Sequence, residues 1–453
     1  MREYKVLSPT AILGYGFPEE SFQAGLERSP DLIAVDAGST DPGPYYLGAG
    51  VSFTDRMAVK RDLELMIEAG LAGKIPVVIG TAGGCGAAAH VSWNKEIILE
   101  LAREKGWHFS LAVIHAEVSK ETVWQAWRQN RISPLHPAPR LTEEDINAAV
   151  RIVAQMGPEP VMSALEQGAQ VVLAGRAYDP AVFCAGALLQ GYDKGLAIHM
   201  GKILECGAIA ASPGSGSDCL LGILQQDSFL VEPLNPIRAC TTTSVAAHTL
   251  YEKTNPYLLP GPGGVLDLRQ TTFTQVTSRT VRVAGSKFVP GESYAVKLEG
   301  VKRVGYRTVS VAGCRDPIMI EQIDHIVEAV RERVKDNFKQ YGYQYFLHFN
   351  IYGRNGVMGS LEPKPKGNPH ELGIIIEAVA ETQELANTIC SFARSTMLHY
   401  GYPGRLATAG NLAFPYSPSD FKAGAVYNFN IYHLMQVDDP LSLFPIEIIQ
   451  AGR

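Results

Sequence analysis

Several features that define familiar protein classes are missing from this chain of 453 residues. No apolar run approaches the length of a transmembrane span, and the segment 1–5 does not have the pattern of a signal peptide. The net charge is −6, and no block of basic residues interleaved with aromatic residues occurs. We therefore expect a cytoplasmic protein that binds neither nucleic acid nor a membrane.

Cysteine pairs with a recognisable spacing are also missing. The seven cysteines are scattered along the chain, and none forms a Cys-x-x-Cys motif. Their odd number argues against a disulfide framework, and their spacing argues against structural zinc. We expect most of them to be buried thiols in a reducing compartment. Cys85 and Cys206 differ from the others because both lie beside glycines in predicted loops.

Motifs for common cofactors do not occur either. The glycine-rich segment between residues 80 and 86 lacks the G-x-G-x-x-G spacing of dinucleotide-binding turns, and no Gly-Lys-Ser/Thr sequence of a P-loop follows it. No His-Glu-x-x-His sequence is present. No cofactor is therefore evident, and redox chemistry is disfavoured. The chain has histidines and carboxylates enough for a metal ion, so metal use stays open.

The chain does contain a strong strand–turn–helix pattern. The apolar run Ile75–Ile79 predicts a buried strand, and the segment 87–105 predicts an amphipathic helix. The glycines between them allow a ligand to approach the backbone closely, and the helix start offers free N–H groups to an anion. The alternative is a tight turn without a ligand. The candidate ligand contacts in this turn are Thr81, Gly83, Gly84 and Gly86, with Cys85 between them.

Three further apolar runs, 32–35, 109–114 and 171–174, predict buried strands that end in polar residues. In a parallel sheet the carboxyl ends of the strands share one edge, where ligands bind. We therefore expect the polar residues to converge in one cleft with the glycine turn. These residues are Asp36, Ser39, Thr40 and Asp41 after the first run, His115 and Glu117 after the second, and Arg176 and Asp179 after the third.

Chemical roles follow from the residue types. The planar guanidinium of Arg176 suits a carboxylate or phosphate, and Asp179 could orient it. His115 could act as a general base or metal ligand. Each has a structural alternative: Asp36 and Asp41 could form turns, His115 could be structural, and Arg176 could pair with Asp179 at the surface.

A second candidate group lies on a predicted helix at 199–208. Lys202 and Glu205 are three residues apart and so share a helical face. That face is either a wall of the site, with a general acid or base, or a solvated row of ion pairs.

Alternating apolar strands and helices predict an α/β protein: a doubly wound, mostly parallel sheet with a smaller C-terminal α+β domain. Residues 143–155 are expected to be helical. The pattern changes near residue 260, where short β runs begin. We therefore place an α/β ligand-binding domain at 1–260 and an α+β layer domain at 261–453.

Five blocks together resemble the acyclic terpene utilisation (AtuA) family of bacterial proteins. They are DAGSTDPGPY at 36–45, GTAGGCG at 80–86, GRAYDP at 175–180, GKILECG at 201–207 and YPGR at 402–405. The resemblance spans nearly the whole chain and implies a role in the breakdown of isoprenoid, branched acyl or other organic acids. It also implies a small companion subunit. Cys85 stands where a small residue is expected, which leaves a variant chemistry open.

Two hypotheses follow for the function. The first is an enzyme of hydratase, dehydratase, lyase or isomerase type that acts on a small carboxylate or its thioester by acid–base chemistry. Its clamp, acid and base would come from Arg176, His115, Glu117, Asp36 and Glu205. The second is a non-catalytic ligand-binding or scaffold subunit of a catabolic complex. A weaker variant of the first is covalent catalysis by Cys85 at a helix N-terminus. We expect a homo-oligomer.

Overall fold

The computed structural model describes residues 3–251, 255–363, 367 and 369–452, which form an α/β protein with two compact units. The larger unit takes the chain up to Lys302 and again from Phe429, and the smaller unit lies between them. The described α-helices are α1 (Glu19–Glu27), α2 (Pro44–Ala49), α3 (Arg56–Gly73), α4 (Ala88–Lys105), α5 (Lys120–Arg128), α6 (Glu143–Ala148), α7 (Glu159–Glu166), α8 (Ala181–Leu189), α9 (Lys194–Leu204), α10 (Thr242–Leu250), α11 (Pro317–Glu321), α12 (Ile323–Phe338) and α13 (Gln383–Leu398).

The described strands, numbered in chain order, are β1 (Tyr4–Ser8), β2 (Leu32–Asp36), β3 (Val77–Gly80), β4 (Phe109–Ile114), β5 (Ile132–Pro134), β6 (Ala149–Ala154), β7 (Val171–Ala174), β8 (Leu220–Leu224), β9 (Ser228–Pro233), β10 (Leu258–Gly261), β11 (Gly264–Asp267), β12 (Thr272–Gln275), β13 (Val281–Ala284), β14 (Lys287–Pro290), β15 (Tyr294–Cys314), β16 (Tyr345–Tyr352), β17 (Leu372–Ala380), β18 (Asp420–Val437) and β19 (Ile446–Ala451).

The larger unit is built on a mixed sheet with the strand order β12-β13-β9-β8-β1-β2-β3-β7-β4-β19. Its centre, β1-β2-β3-β7-β4, is parallel. The four apolar runs at 32–35, 75–79, 109–114 and 171–174 are confirmed as strands of this parallel centre. Side chains alternate between two cores, so that Leu32 lies in one and Ile33 in the other. Because both faces are covered, these strands are apolar throughout.

Helices pack against both faces of this sheet. Side chains of α1, α3 and α4 join the core that contains Ile33, whereas side chains of α7, α8 and α9 join the core that contains Leu32. The connections that follow β3 and β7 therefore leave the sheet on opposite faces, because α4 follows the first strand and α8 follows the second.

The expectation of a mostly parallel sheet holds only for the centre. Antiparallel strands flank it: β8, β9, β13 and β12 on one side, and β19 on the other. The link between β8 and β9 is only three residues long, 225–227. A crossover between parallel strands needs a dozen or more residues, so this pair can form only a hairpin.

Two further expectations differ from the structure. The helix expected at 143–155 ends at Ala148, because the β-branched run around Ile152 pairs with β15 instead. The change of pattern near residue 260 lies inside the larger unit, since β13 pairs with β9 there and the unit continues to Lys302.

The smaller unit, 303–428, is a separate layer of strands and helices. Residues 306–314 of β15 pair with β17, and β17 pairs with β16, all antiparallel. Ile326 of α12 and Ile389 of α13 pack with Ile376 of β17 in one apolar core.

Candidate active site

The loops that follow β2, β3 and β7 meet at the carboxyl edge of the parallel centre. The backbone N–H of Thr81 donates to the carbonyl of Gly175 at 3.1 Å, and that of Ala37 donates to Gly80 at 2.8 Å. The helices after β3 and β7 lie on opposite faces, so the crevice between these strands is a topological switch point, the usual ligand-binding position in such sheets.

The glycines of the turn approach the protein's own atoms closely. A Cβ atom added to Gly86, whose φ is +68°, would overlap the backbone nitrogen of Arg176. One added to Gly84 would overlap the ring of Phe53, and one added to Gly83 would lie 2.8 Å from Cβ of His90. The turn therefore needs glycine at these positions in order to pack against neighbouring segments. Such close packing is what the tight-turn alternative predicts for this motif.

Thr81 has a left-handed backbone, with φ of +49° and ψ of +53°. This conformation is unfavourable for a β-branched residue, so it persists only where the surroundings demand it. The hydroxyl of the buried Thr81 accepts a hydrogen bond from the N–H of Ala177 at 3.2 Å and lies 3.4 Å from Nη1 of Arg176. The strained residue thus joins the turn after β3 to the loop after β7.

Arg176 lies at the centre of a buried ion-pair network. Its Nε atom donates to Oε2 of Glu299 at 2.7 Å. Its Nη1 atom donates to the carbonyl of Ala177 at 2.8 Å and to Oδ1 of Asp179 at 3.1 Å. Burial works against the charge, but Glu299 and Asp179 raise the pKa of Arg176 well above its usual value. Arg176 thus pairs with Asp179, but the guanidinium is buried and the pair does not lie at the surface as the structural alternative expected.

Glu299 is the partner that completes this network. It is fully buried, and its Oε1 atom lies 2.6 Å from Nζ of Lys297 and accepts the hydroxyl of Thr40 at 3.0 Å. Although burial alone would raise the pKa of Glu299, the charges of Arg176 and Lys297 lower it to about 2. Glu299 is therefore ionised near pH 7 and pairs with two cations.

Asp36 is a buried carboxyl group of the cluster, and one of its oxygens has no hydrogen bond to the described residues. It is 7% exposed, and its Oδ1 atom is buried without a hydrogen bond among the described residues. Burial and the charges of Asp179 and Glu205 raise the pKa of Asp36 well above its usual value, against the opposing charge of Arg176. Asp36 thus favours its protonated form.

Lys202 and Glu205 form the second part of the cluster. The helix expected at 199–208 lies at α9, with Lys202 in its last turn and Glu205 as its C-cap. Lys202 Nζ lies 2.5 Å from Oε1 of Glu205 and 4.6 Å from the ring centre of Tyr251. Burial disfavours the charge, yet Glu205 raises the pKa of Lys202. Lys202 is therefore a buried cation rather than an amine nucleophile.

Cys206 and His248 border the same tyrosine. The sulfur of Cys206 lies 3.2 Å from the hydroxyl of Tyr251, and the ring of His248 stacks on that of Tyr251 at 4.8 Å. Nε2 of His248 is buried without a hydrogen bond among the described residues. Burial and the charge of Lys202 lower the pKa of His248 to about 4. His248 is therefore neutral near pH 7.

His115 and Glu117 have partners of their own outside the network of Arg176. Oε2 of Glu117 accepts the backbone N–H of Ala88 at 2.8 Å. The helix start that was expected to bind a ligand anion thus already has a carboxylate of the protein. Nε2 of His115 lies 4.0 Å from Oε2 of Glu447, and its side chain is 40% exposed.

Cys85, Ser39 and Asp41 lie beside the cluster. Ser39 and Asp41 bond to each other at 2.7 Å in an exposed turn, which is the turn-forming alternative for Asp41. Burial raises the pKa of the Cys85 thiol to about 12, although Arg176 opposes this. Such a thiol stays protonated at physiological pH, so its environment does not activate it.

Sequence reasoning missed Glu299, Lys297 and His248. Glu299 lies in β15 two residues after Lys297, a spacing that places a carboxylate and a cation on the same face of a strand. That signal was available, but it did not identify Arg176 as the partner, 123 residues away.

The part of the chain that the structure describes contains neither a ready-made metal site nor a membrane-spanning helix. No group of three or more His, Cys, Asp or Glu side chains there is placed to hold a metal ion. None of the helices described is long and apolar enough to cross a bilayer.

Comparison with known proteins gives one match. The family model described as acyclic terpene utilisation family protein AtuA matches residues 56–215 and 230–417. These ranges include Arg176, Lys202 and Glu299, whereas Asp36 precedes them. No curated protein and no solved structure matches the chain.

Proposed function

The chain belongs to the acyclic terpene utilisation (AtuA) family, and we propose that it is a catabolic enzyme acting on a small organic acid or acyl thioester. The proposed chemistry is of hydratase, dehydratase, lyase or isomerase type with an acid–base mechanism. The observation that carries this proposal is Asp36: a buried carboxyl group at the carboxyl edge of the parallel strands, one of whose oxygens has no hydrogen bond to the described residues.

Asp36 has the properties of a general acid. A carboxyl group with a raised pKa keeps its proton to higher pH, so it can donate that proton to a carbonyl oxygen or a leaving hydroxyl. After donation, the carboxylate can take a proton from a carbon next to a carbonyl. Pairs of carboxylates whose surroundings push their pKa values apart are typical of acid–base sites, and Asp36 and Glu299 are such a pair.

The neighbouring ion pairs have supporting roles in this proposal. Glu299 and Asp179 fix the guanidinium of Arg176, and Glu205 fixes the ammonium of Lys202. Fixed charges stabilise charge that develops on a substrate without having to reorganise. We assign no catalytic step to His115 or Glu117, because their carboxylate and backbone partners already engage them.

The wider assignment includes a cytoplasmic location, a homo-oligomer and a small companion subunit. The seven free thiols support a reducing compartment. The doubly wound arrangement of the parallel centre is supported by the helices that pack on both of its faces. The companion subunit rests on the resemblance to the family.

The experiment measures turnover by mass. The purified protein is incubated in D₂O with a panel of branched acids and their neutral N-acetylcysteamine thioesters, and products are analysed by mass spectrometry. Addition or loss of water changes the mass by one water molecule, and isomerisation or proton exchange introduces deuterium. The variant Asp36→Asn is the test, and Asp438→Asn, whose side chain is 90% exposed, is the matched control.

We expect turnover of at least one panel member by the wild type and by Asp438→Asn, and its loss in Asp36→Asn. Turnover that survives in Asp36→Asn would remove Asp36 from the mechanism. Binding of a panel member without any turnover would favour the non-catalytic subunit instead.

A further inference from the structure

Among the residues that the structure describes, every cation of the cluster around Asp36 already has a carboxylate partner. Arg176 is paired with Glu299 and Asp179, Lys202 with Glu205, and Lys297 with Glu299. These are three cations and three anions when Asp36 is protonated. With Asp36 ionised, the anions outnumber the cations. The charges that act on Asp36 itself are those of Asp179, Glu205 and Arg176, two negative and one positive.

The guanidinium of Arg176 also lacks the free geometry that a carboxylate needs. A two-point contact with a carboxylate uses Nε with Nη2, or Nη1 with Nη2. Nε already donates to Glu299 and Nη1 to Ala177 and Asp179. Nη2 is the one guanidinium nitrogen for which the described residues provide no partner, and alone it cannot form the two-point contact.

From these two observations we infer that the site takes a substrate with a neutral carbonyl group, such as an acyl thioester, and excludes a free carboxylate. The inference rests on the proposed function and narrows its substrate class. A free carboxylate would add an uncompensated negative charge beside Asp179 and Glu205 in a buried site, where such charges are strongly unfavourable. A neutral carbonyl oxygen can instead accept a hydrogen bond from the protonated form of Asp36, whose Oδ1 atom has no partner among the described residues.

Lys202 supports the same conclusion. A lysine without a carboxylate partner could recruit an anionic ligand, but the side chain of Lys202 is 4% exposed and its ammonium already pairs with Glu205. Its remaining contact is the face of Tyr251, which suits a cation. None of the described cations of this cluster is therefore left without a carboxylate partner.

The test compares matched pairs of ligands. Isovaleric and 3-methylcrotonic acids, and the neutral N-acetylcysteamine thioester of each, are titrated into the protein at pH 7.5 by calorimetry. The same titrations are made with Asp179→Asn, which removes one negative charge beside Arg176, and with Asp438→Asn as the surface control. The side chain of Asp179 is 29% exposed, so its replacement by an isosteric amide should leave the fold intact.

We expect each thioester to bind at least about tenfold tighter than its acid in the wild type, since an unpaired buried charge is worth well over the 1.4 kcal/mol of a tenfold change. Asp179→Asn should raise the affinity for the acids and so reduce the ratio of thioester affinity to acid affinity. Asp438→Asn should leave that ratio unchanged.

Two results would overturn this inference: tighter binding of the acids than of their thioesters by the wild type, or the same affinity ratio in Asp179→Asn as in the wild type. In that case, turnover that depends on Asp36 would still support the proposed function. Failure of both members of every pair to bind would overturn the inference and the proposed substrate class together.

Discussion

Nε of Arg176 lies 2.7 Å from Oε2 of Glu299, and neither side chain is more than 3% exposed. The two residues come from distant parts of the chain, the loop after β7 and the strand β15. Their contact joins the loop that carries the candidate site to the β15 strand of the larger unit. Because both charges are buried, each needs the other as its partner. Removal of either group should therefore lower the stability of the protein as well as affect its function.

We predict that Glu299→Gln lowers the free energy of unfolding by about 3–5 kcal/mol, because it leaves the charge of Arg176 buried with a weaker partner. The measurement is chemical denaturation at pH 7. The matched control is Glu232→Gln, which breaks the partly exposed pair of Glu232 with Arg28 at 2.8 Å. That change should cost less than about 1 kcal/mol. Equal effects of the two substitutions would contradict a special role for the buried pair.

Low pH should lower the stability of the wild-type protein through Glu299 as well. The pKa of Glu299 is lowered to about 2 in the folded protein, from 4.5. The stability it contributes is therefore fully present above pH 4.5 and is lost as the pH falls towards 2. Each unit of pKa difference corresponds to about 1.4 kcal/mol. In Glu299→Gln this part of the acid-induced loss of stability should disappear. Parallel curves of stability against pH for the two proteins between pH 5 and 3 would argue against this contribution of Glu299.

Asp36 should have the opposite effect on stability. Its pKa is raised above 3.8 in the folded state, so the folded protein holds a proton that the unfolded chain releases, and stability falls as the pH rises above 3.8. Asp36→Asn does not titrate, so it should match the wild type near pH 3.5 and become more stable than the wild type towards pH 8. Thermal melts of both proteins across this range check the prediction. A variant that is less stable at pH 8 would show that ionised Asp36 is stabilising.

Gly86 and Gly106 provide a matched pair for the glycine turn. Both have positive φ, +68° and +67°, but an added Cβ meets the backbone of Arg176 at Gly86 and nothing within 4 Å at Gly106. Gly106→Ala should cost about 1–2 kcal/mol for the left-handed conformation alone. Gly86→Ala should cost clearly more, because the loop after β7 must move. If the denaturation curves of the two variants superimpose, the glycine turn and the loop after β7 can move apart at little cost.

Cys85 provides a test of covalent catalysis. Burial raises the pKa of its thiol to about 12 and leaves it 1% exposed. We therefore expect Cys85→Ala to retain turnover in the mass assay, and iodoacetamide at pH 8 to leave Cys85 of the folded protein unlabelled. Loss of turnover in a folded Cys85→Ala protein would restore the covalent hypothesis.

Part of the candidate site was predictable because it depends on local pattern. The apolar runs before Asp36, Thr81 and Arg176 are buried strands, and in a parallel sheet the residues that follow such strands share one edge. That these loops lie at one edge follows from strand direction, whereas the neighbouring positions of β3 and β7, which bring Thr81 to Arg176, are set by the tertiary structure. The glycines between 80 and 86 also marked a close approach, but the pattern could not tell whether a ligand or another loop would come close. Here the close approach at Gly86 is to the backbone of Arg176.

Sequence by itself determined the α/β class, the parallel strands and the family, because apolar periodicity and short motifs are local properties of the chain. Only the tertiary structure decided which charges face each other. Glu299 reaches Arg176 across 123 residues, and Glu117 reaches the start of α4 across 29. Such pairings depend on which strands become neighbours and on how deeply each group is buried. Both depend on the whole chain at once, and they decide that the pKa of Glu299 is lowered while that of Asp36 is raised.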